Sequence, residues 1–301
     1  MKKKTYLFAL MAMGLTLGSC SDNENGIGGE TSKFITVSTS IGNMTRVATD
    51  ANGGQTFEEG DEISVYAWTG DATVAPETRE RVVNNAINKL TNGSWVSTPQ
   101  MLWKNNRDKH YFIGVYPTAA ISDLSAGEYT FDVNKQTESD LLVAVNKDGL
   151  SYNVDEQQTV PLTFTHVMAK LVVNLTYKNQ WGADGPTVDK VAVGNAAKEA
   201  TINYLTKVVT PSTTAKEDFS LPEITENTKY VSVIIPQEEV KQLTIVIGGK
   251  NFVYDNGTPF KLESGKITTV NLEVGRDEIK LGDVKITNWE DGSTFSGEAL
   301  N

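Results

Sequence analysis

The stretch Ile35-Thr36-Val37-Ser38-Thr39-Ser40-Ile41 decides the fold of this chain. Ile35, Val37, Thr39 and Ile41 alternate with Thr36, Ser38 and Ser40. One side of an extended backbone is therefore mainly apolar and the other polar, the pattern of a half-buried β-strand. Gly42-Asn43 ends it. Runs of the same period recur along the chain at Ile63, Val65 and Ala67, at Val231, Val233 and Ile235, at Leu243, Ile245 and Ile247, and at Val270, Leu272 and Val274. The tight-turn dipeptides Asn92-Gly93, Asp148-Gly149, Gly248-Gly249, Asn256-Gly257 and Asp291-Gly292 separate such runs. Short alternating strands joined by turns predict an all-β fold of the sandwich type.

Two stretches depart from this period. Residues 77–90 carry Val82, Val83, Ala86, Ile87 and Leu90 at three- and four-residue spacings, which predicts a helix, although Asn84, Asn85 and Asn88 weaken it. Across residues 160–175 the apolar positions are even up to Met168 and odd from Leu171. The inward face changes register there, as at a β-bulge or a bend between sheets. A length of 301 residues suits two domains or one large β domain. The polar run Asp155-Glu156-Gln157-Gln158 is the expected boundary, with domains at 34–157 and 158–301.

The N-terminus reads as an export signal. Lys2, Lys3 and Lys4 precede an apolar run over residues 6–17, which is too short to span a bilayer. The run ends in Leu17-Gly18-Ser19-Cys20, which is similar to a lipobox, and Cys20 is the single cysteine of the chain. Removal of residues 1–19 and acylation of Cys20 would tie the protein to a membrane, since two acyl chains anchor where one does not. Residues 20–33 are polar and contain glycines, the composition of a flexible tether.

Composition excludes much chemistry. Asp and Glu number 38 against 27 Lys and Arg, a net charge of -11, and no basic face is visible to neutralise nucleic-acid phosphates. One Cys and two His cannot build zinc-cysteine sites, iron–sulfur clusters or a disulfide framework. No Gly-x-Ser-x-Gly, His-Glu-x-x-His or Walker loop is present. His110, in Arg107-Asp108-Lys109-His110, reads as part of a solvated turn. His166 lies on the apolar face of its strand and reads as a hydrogen-bonded structural histidine. Carboxylate pairs such as Asp61-Glu62 are inevitable among 38 acids. Asp50-Ala51-Asn52-Gly53 begins like a calcium loop, but Asp61 stands where a Glu is expected and the glycine spacing is wrong. No catalytic residue, metal ligand or cofactor is assigned, and the chain reads as a non-enzyme. The five tryptophans, Trp68, Trp95, Trp103, Trp181 and Trp289, keep open a rival reading, a surface glycan-binding lipoprotein with aromatic platforms.

An ordered set of short pieces carries a family resemblance. The pieces are the lipobox Cys20, Thr45-Arg46, Phe57-Glu58-Glu59-Gly60-Asp61 with Ile63-Ser64-Val65-Tyr66, and Tyr111-Phe112-Ile113-Gly114-Val115-Tyr116-Pro117. Asp140-Leu141-Leu142, Phe164-Thr165-His166-Val167-Met168-Ala169-Lys170-Leu171 and Ile286-Thr287-Asn288-Trp289 follow. With them the chain resembles the fimbrillin-like proteins, subunits of type V pili of Gram-negative anaerobes. The resemblance implies two transthyretin-like, immunoglobulin-like β-sandwich domains in tandem and a structural or accessory role in cell-surface fimbriae that support adhesion. It also implies an outer-membrane lipoprotein precursor, other fimbrial subunits as partners, and an Arg- or Lys-specific maturation protease. Arg46 follows the 35–41 strand by a few residues, so cleavage there would leave Val47 as the new N-terminus. Loss of the strand would open a groove for a donor strand from a neighbour. The expected donor lies at 293–301, where Phe295, Gly297 and Ala299 alternate with Ser296 and Glu298.

Overall fold

The computed structural model describes residues 33–42, 56–153, 155–156, 158–183 and 185–289. The described residues form an almost entirely β structure of four sheets. Seven strands make the first: β1 (Thr36–Ile41), β2 (Glu62–Thr69), β3 (Arg81–Thr91), β4 (Ser94–Thr98), β5 (His110–Tyr116), β7 (Leu142–Leu150) and β8 (Thr159–His166). Their spatial order is β1-β8-β7-β5-β2-β3-β4. A small sheet joins β6 (Gly127–Thr130), β11 (Glu199–Asn203) and β12 (Val208–Pro211). A four-stranded sheet holds β10 (Val188–Ala197), β13 (Lys216–Ser220), β16 (Gln237–Ile247) and β17 (Lys250–Leu262). The last holds β9 (Ala169–Tyr177), β14 (Glu223–Thr225), β15 (Lys229–Ile234), β18 (Lys266–Val274) and β19 (Ile279–Asn288).

The decisive stretch forms β1, paired in parallel with β8 from Thr36↔Thr159 to Ile41↔Phe164. Alternation does what it predicts at its start: Ile35 and Val37 are buried while Ser38 is exposed. They pack into a core with Ile63, Val65, Phe112 and Phe164. Strands β2, β5 and β7 are apolar on their other face too, where Tyr66, Trp68, Ile113 and Val143 join the larger core built with the four- and five-stranded sheets. Strand β2 is thus buried on both faces, which period-two reading of Ile63, Val65 and Ala67 alone does not reveal.

Three expectations need correction. Residues 77–90 are not a helix beyond the single 3-10 turn Thr78–Glu80; the rest belongs to β3. Val65 faces Ala86 and Ala67 faces Val83, so three steps along β3 match two along β2, with Asn85 at φ 56° in the bulge. The bulge turns a two-residue spacing into a three-residue one, which imitates a helix. The 157/158 boundary precedes β8, yet β8 pairs with β1 and β7 of the first sheet. The chain leaves that sheet at Val167-Met168 and enters the five-stranded sheet at β9, so the register change is a bend between sheets. His110 is fully buried instead of solvated. The backbone around it folds over the ring: Lys104 N–H donates to Nε2 at 3.1 Å, and Nδ1 lies 3.1 Å from the Asp108 carbonyl. These partners fit the neutral ring protonated on Nδ1, and burial lowers the pKa of His110.

Candidate functional site

The seven-stranded sheet curls until its two edge strands, β1 and β4, approach each other. The closure is uneven. Near Lys33 it is made by backbone: Ile35 N–H donates to Met101 O at 3.0 Å and Trp103 N–H to Lys33 O at 3.1 Å. Farther along β1 no ladder joins the edges, and a side chain ties them instead, Trp95 Nε1 donating to Thr39 Oγ1 at 3.0 Å. What remains is an open groove of about 610 Å³. Residues 36–41 line one wall, Ser94 and Trp95 the other, and Phe57 lies between them.

Local sequence builds each wall. Asn92 and Gly93 both have positive φ, 51° and 72°, the two-residue hairpin turn that joins β3 to β4. The Glu59 carboxylate accepts from Asn92 N–H at 2.5 Å and holds that turn against the preceding loop. Asp61 accepts from Glu58 N–H at 2.7 Å and so shapes that loop. Phe57 meets Trp95, Tyr116 and Phe164 edge-on, at ring distances of 5.3, 5.4 and 5.1 Å. The Phe57-Glu58-Glu59-Gly60-Asp61 piece is therefore the scaffold of the groove. Asp61 and Glu62 do not work as a pair, since Glu62 binds Lys89 at 2.9 Å.

A second cluster sits where the chain crosses between sheets. His166 Nδ1 lies 2.7 Å from Asp140 Oδ1, and its ring stacks on Trp289 at 4.0 Å with 5° between planes. Lys170 lies over Trp289 at 4.7 Å, and burial, opposed by Asp140, lowers its pKa. Trp289 N–H donates to Gly265 O at 3.1 Å, fixing the root of the C-terminal segment. His166 is thus a buried, hydrogen-bonded histidine. Three pieces that lie far apart in sequence, around residues 140, 166 and 289, meet here.

Cys20, Arg46, Val47, Phe295, Gly297 and Ala299 lie outside the described residues, as do Asp50-Ala51-Asn52-Gly53 and Asp291-Gly292. Trp68, Trp103 and Trp289 are buried in the cores, and Trp181 donates to the Val274 carbonyl, so of the five only Trp95 lines the groove. Trp95 and Ser94 were not singled out by sequence as groove residues, nor Glu59 as the group that holds the turn beside them. The signal that could have found them is the Asn92-Gly93 hairpin, which places β4 beside β3.

A family model described as fimbrillin-like matches residues 45–289, most of the chain. The chain belongs to the fimbrillin-like family. It is 25% identical over 319 aligned positions to the candidate fimbrium subunit Fim1C of Bacteroides uniformis, covering 97% of each chain. The crystal structure of a candidate cell adhesion protein from Bacteroides uniformis has a TM-score of 0.64 at 20% identity, covering 86% of this chain and all of that one. Another from Bacteroides ovatus has a TM-score of 0.64 at 18% identity, with 85% and 98% covered. These two structures show that the fimbrillin-like chain shares their fold.

Proposed function

We propose that this fimbrillin-like chain is a structural or accessory subunit of cell-surface fimbriae and supports adhesion. It is exported as a lipoprotein, acylated on Cys20 after loss of residues 1–19, and held on the outer membrane until maturation. An Arg- or Lys-specific protease cuts after Arg46, which leaves Val47 as the N-terminus and detaches β1 together with the tether. Assembly then depends on binding between subunits, with no active-site chemistry required.

One observation carries this reading. β1 is an edge strand that ends five residues before Arg46, yet its Val37 and the preceding Ile35 are buried in the core. Removing it uncovers apolar pockets and the backbone edge of β8, and such an edge recruits a strand. Each refilled pocket is worth about 1.5–3 kcal/mol. The donor is the 293–301 segment of a neighbour, through Phe295, Gly297 and Ala299. Its apolar face is thinner than that of β1, so it refills fewer of the pockets that β1 leaves. Deleting residues 293–301 leaves a folded, cleavable monomer that does not polymerise, read by sedimentation and electron microscopy after proteolysis. Polymerisation equal to that of the full chain would overturn the donor assignment.

A further inference from the structure

Eight strands lie at the edges of the four sheets among the described residues. Proteins guard such edges against stray pairing with charges, prolines and bulges. Six of the eight follow this rule, with Glu128 on β6, Pro211 on β12, Lys216 on β13, Glu223 on β14, Lys250 on β17 and Lys280 on β19. The other two, β1 and β4, read Thr-Val-Ser-Thr-Ser-Ile and Ser-Trp-Val-Ser-Thr and carry neither charge nor proline. These two unguarded edges flank one groove. All thirteen residues that line it are uncharged, in a chain of which 22% is charged. Six consecutive residues of β1 line it, so the strand presents its backbone edge to the space.

The groove also lies close to a chain end. Gly42 N–H, just past β1, donates to Phe164 O at 2.8 Å, and His166, two residues beyond, stacks on Trp289. The root of the C-terminal segment is therefore beside the open, Ile41 end of the groove, opposite the end closed by the Lys33 and Ile35 backbone bonds. Residues 290–292 reach about 10 Å when extended, enough to step across one strand spacing and arrive at the opening. The next five residues, Ser293-Thr294-Phe295-Ser296-Gly297, are uncharged like the groove, and their one aromatic side chain would suit the Phe57 and Trp95 rings in it. A segment entering at the Ile41 end would run antiparallel to β1, a direction suited to hydrogen bonding with its free edge.

We propose that, before cleavage, the groove between β1 and β4 is occupied by the chain's own segment 293–297. This rests on the reading of 293–301 as the donor strand and adds its regulation: the donor is stored in its own subunit, and assembly is a swap of the same element between copies. The tether gives the intramolecular contact a high effective concentration, so a second copy competes poorly until β1 leaves and the groove widens.

The test uses the full chain with Arg46→Ala, which stays uncleaved, and a fluorescent peptide of residues 290–301 followed by anisotropy. Phe295→Asp in the same chain should free the groove, so the peptide binds this double variant at least tenfold more tightly than the Arg46→Ala chain. Adding Ser38→Lys or Ser94→Lys, each at an exposed position in the groove, should weaken that binding at least tenfold. Equal binding with and without Phe295→Asp would overturn storage of the segment, and indifference to both lysines would overturn the groove as its place. Binding confined to chains cut after Arg46 would overturn storage while leaving strand exchange standing. Absence of binding to cut chains as well would overturn the donor reading itself.

Discussion

Replacing Ile35 and Val37 together by alanine should destabilise the uncleaved protein by about 3–6 kcal/mol. Both side chains are buried, at 1% and 6% exposure, among Ile63, Val65, Phe112 and Phe164. An Ile→Ala change in a core costs about 2–5 kcal/mol, transfer and cavity terms together. Val37 loses two further carbons at about 0.8 kcal/mol each, and its place beside the open groove lets neighbours relax toward the lower end of the range. A loss of this size is a large part of the 5–15 kcal/mol typical of a folded domain. Urea unfolding followed by tryptophan fluorescence measures it, with Trp103 reporting from the same core. Ser38→Ala, at an exposed position of the same strand, is the control and should stay within about 0.5 kcal/mol. A combined loss below about 1 kcal/mol would show that cleavage removes a strand that does not hold the core.

Cys20→Ala should abolish acyl labelling and membrane fractionation, and equal labelling of the variant would contradict acylation at Cys20. Gly114→Ala places a Cβ about 2.6 Å from Phe164 Cζ and 3.1 Å from Leu162 Cδ1. Overpacking of that kind costs about 1–3 kcal/mol, and an unchanged urea midpoint would show that the β8 side chains yield freely. Burial lowers the pKa of His110. The unfolded chain takes up a proton near pH 6.5 that the folded chain refuses, so this contribution to stability is full above about pH 6.5 and declines as pH falls toward the folded value. Urea midpoints between pH 7.5 and 5.5 should therefore fall more steeply for the native chain than for His110→Gln, and identical slopes would contradict the assignment.

Period-two alternation made the strands legible, β1 above all, and turn dipeptides such as Asn92-Gly93 marked their ends. Strands were not legible where backbone geometry breaks the period. The bulge at Asn85 converted β3 into a helix-like spacing, and nothing local to residues 77–90 distinguishes the two. The register change before Leu171 was visible, but its cause, the passage of the chain from one sheet to another, depends on which strands pair with β8. His110 failed for a related reason: charged neighbours in sequence suggested solvent, whereas the backbone of residues 104–108 supplies both ring partners. Of the groove, only the β1 wall was legible. Its other wall needs the curl of a seven-stranded sheet, and the His166–Asp140–Trp289 cluster needs contacts across 26 and 123 residues of sequence.

On the proposed reading, β1 leaves this fimbrillin-like chain when it enters a fibre. N-terminal sequencing and intact-mass measurement of the subunit recovered from assembled fimbriae test it directly. The expected chain begins at Val47 and lacks residues 35–41. Fibre-incorporated chains that begin at Cys20 and retain those residues would contradict it.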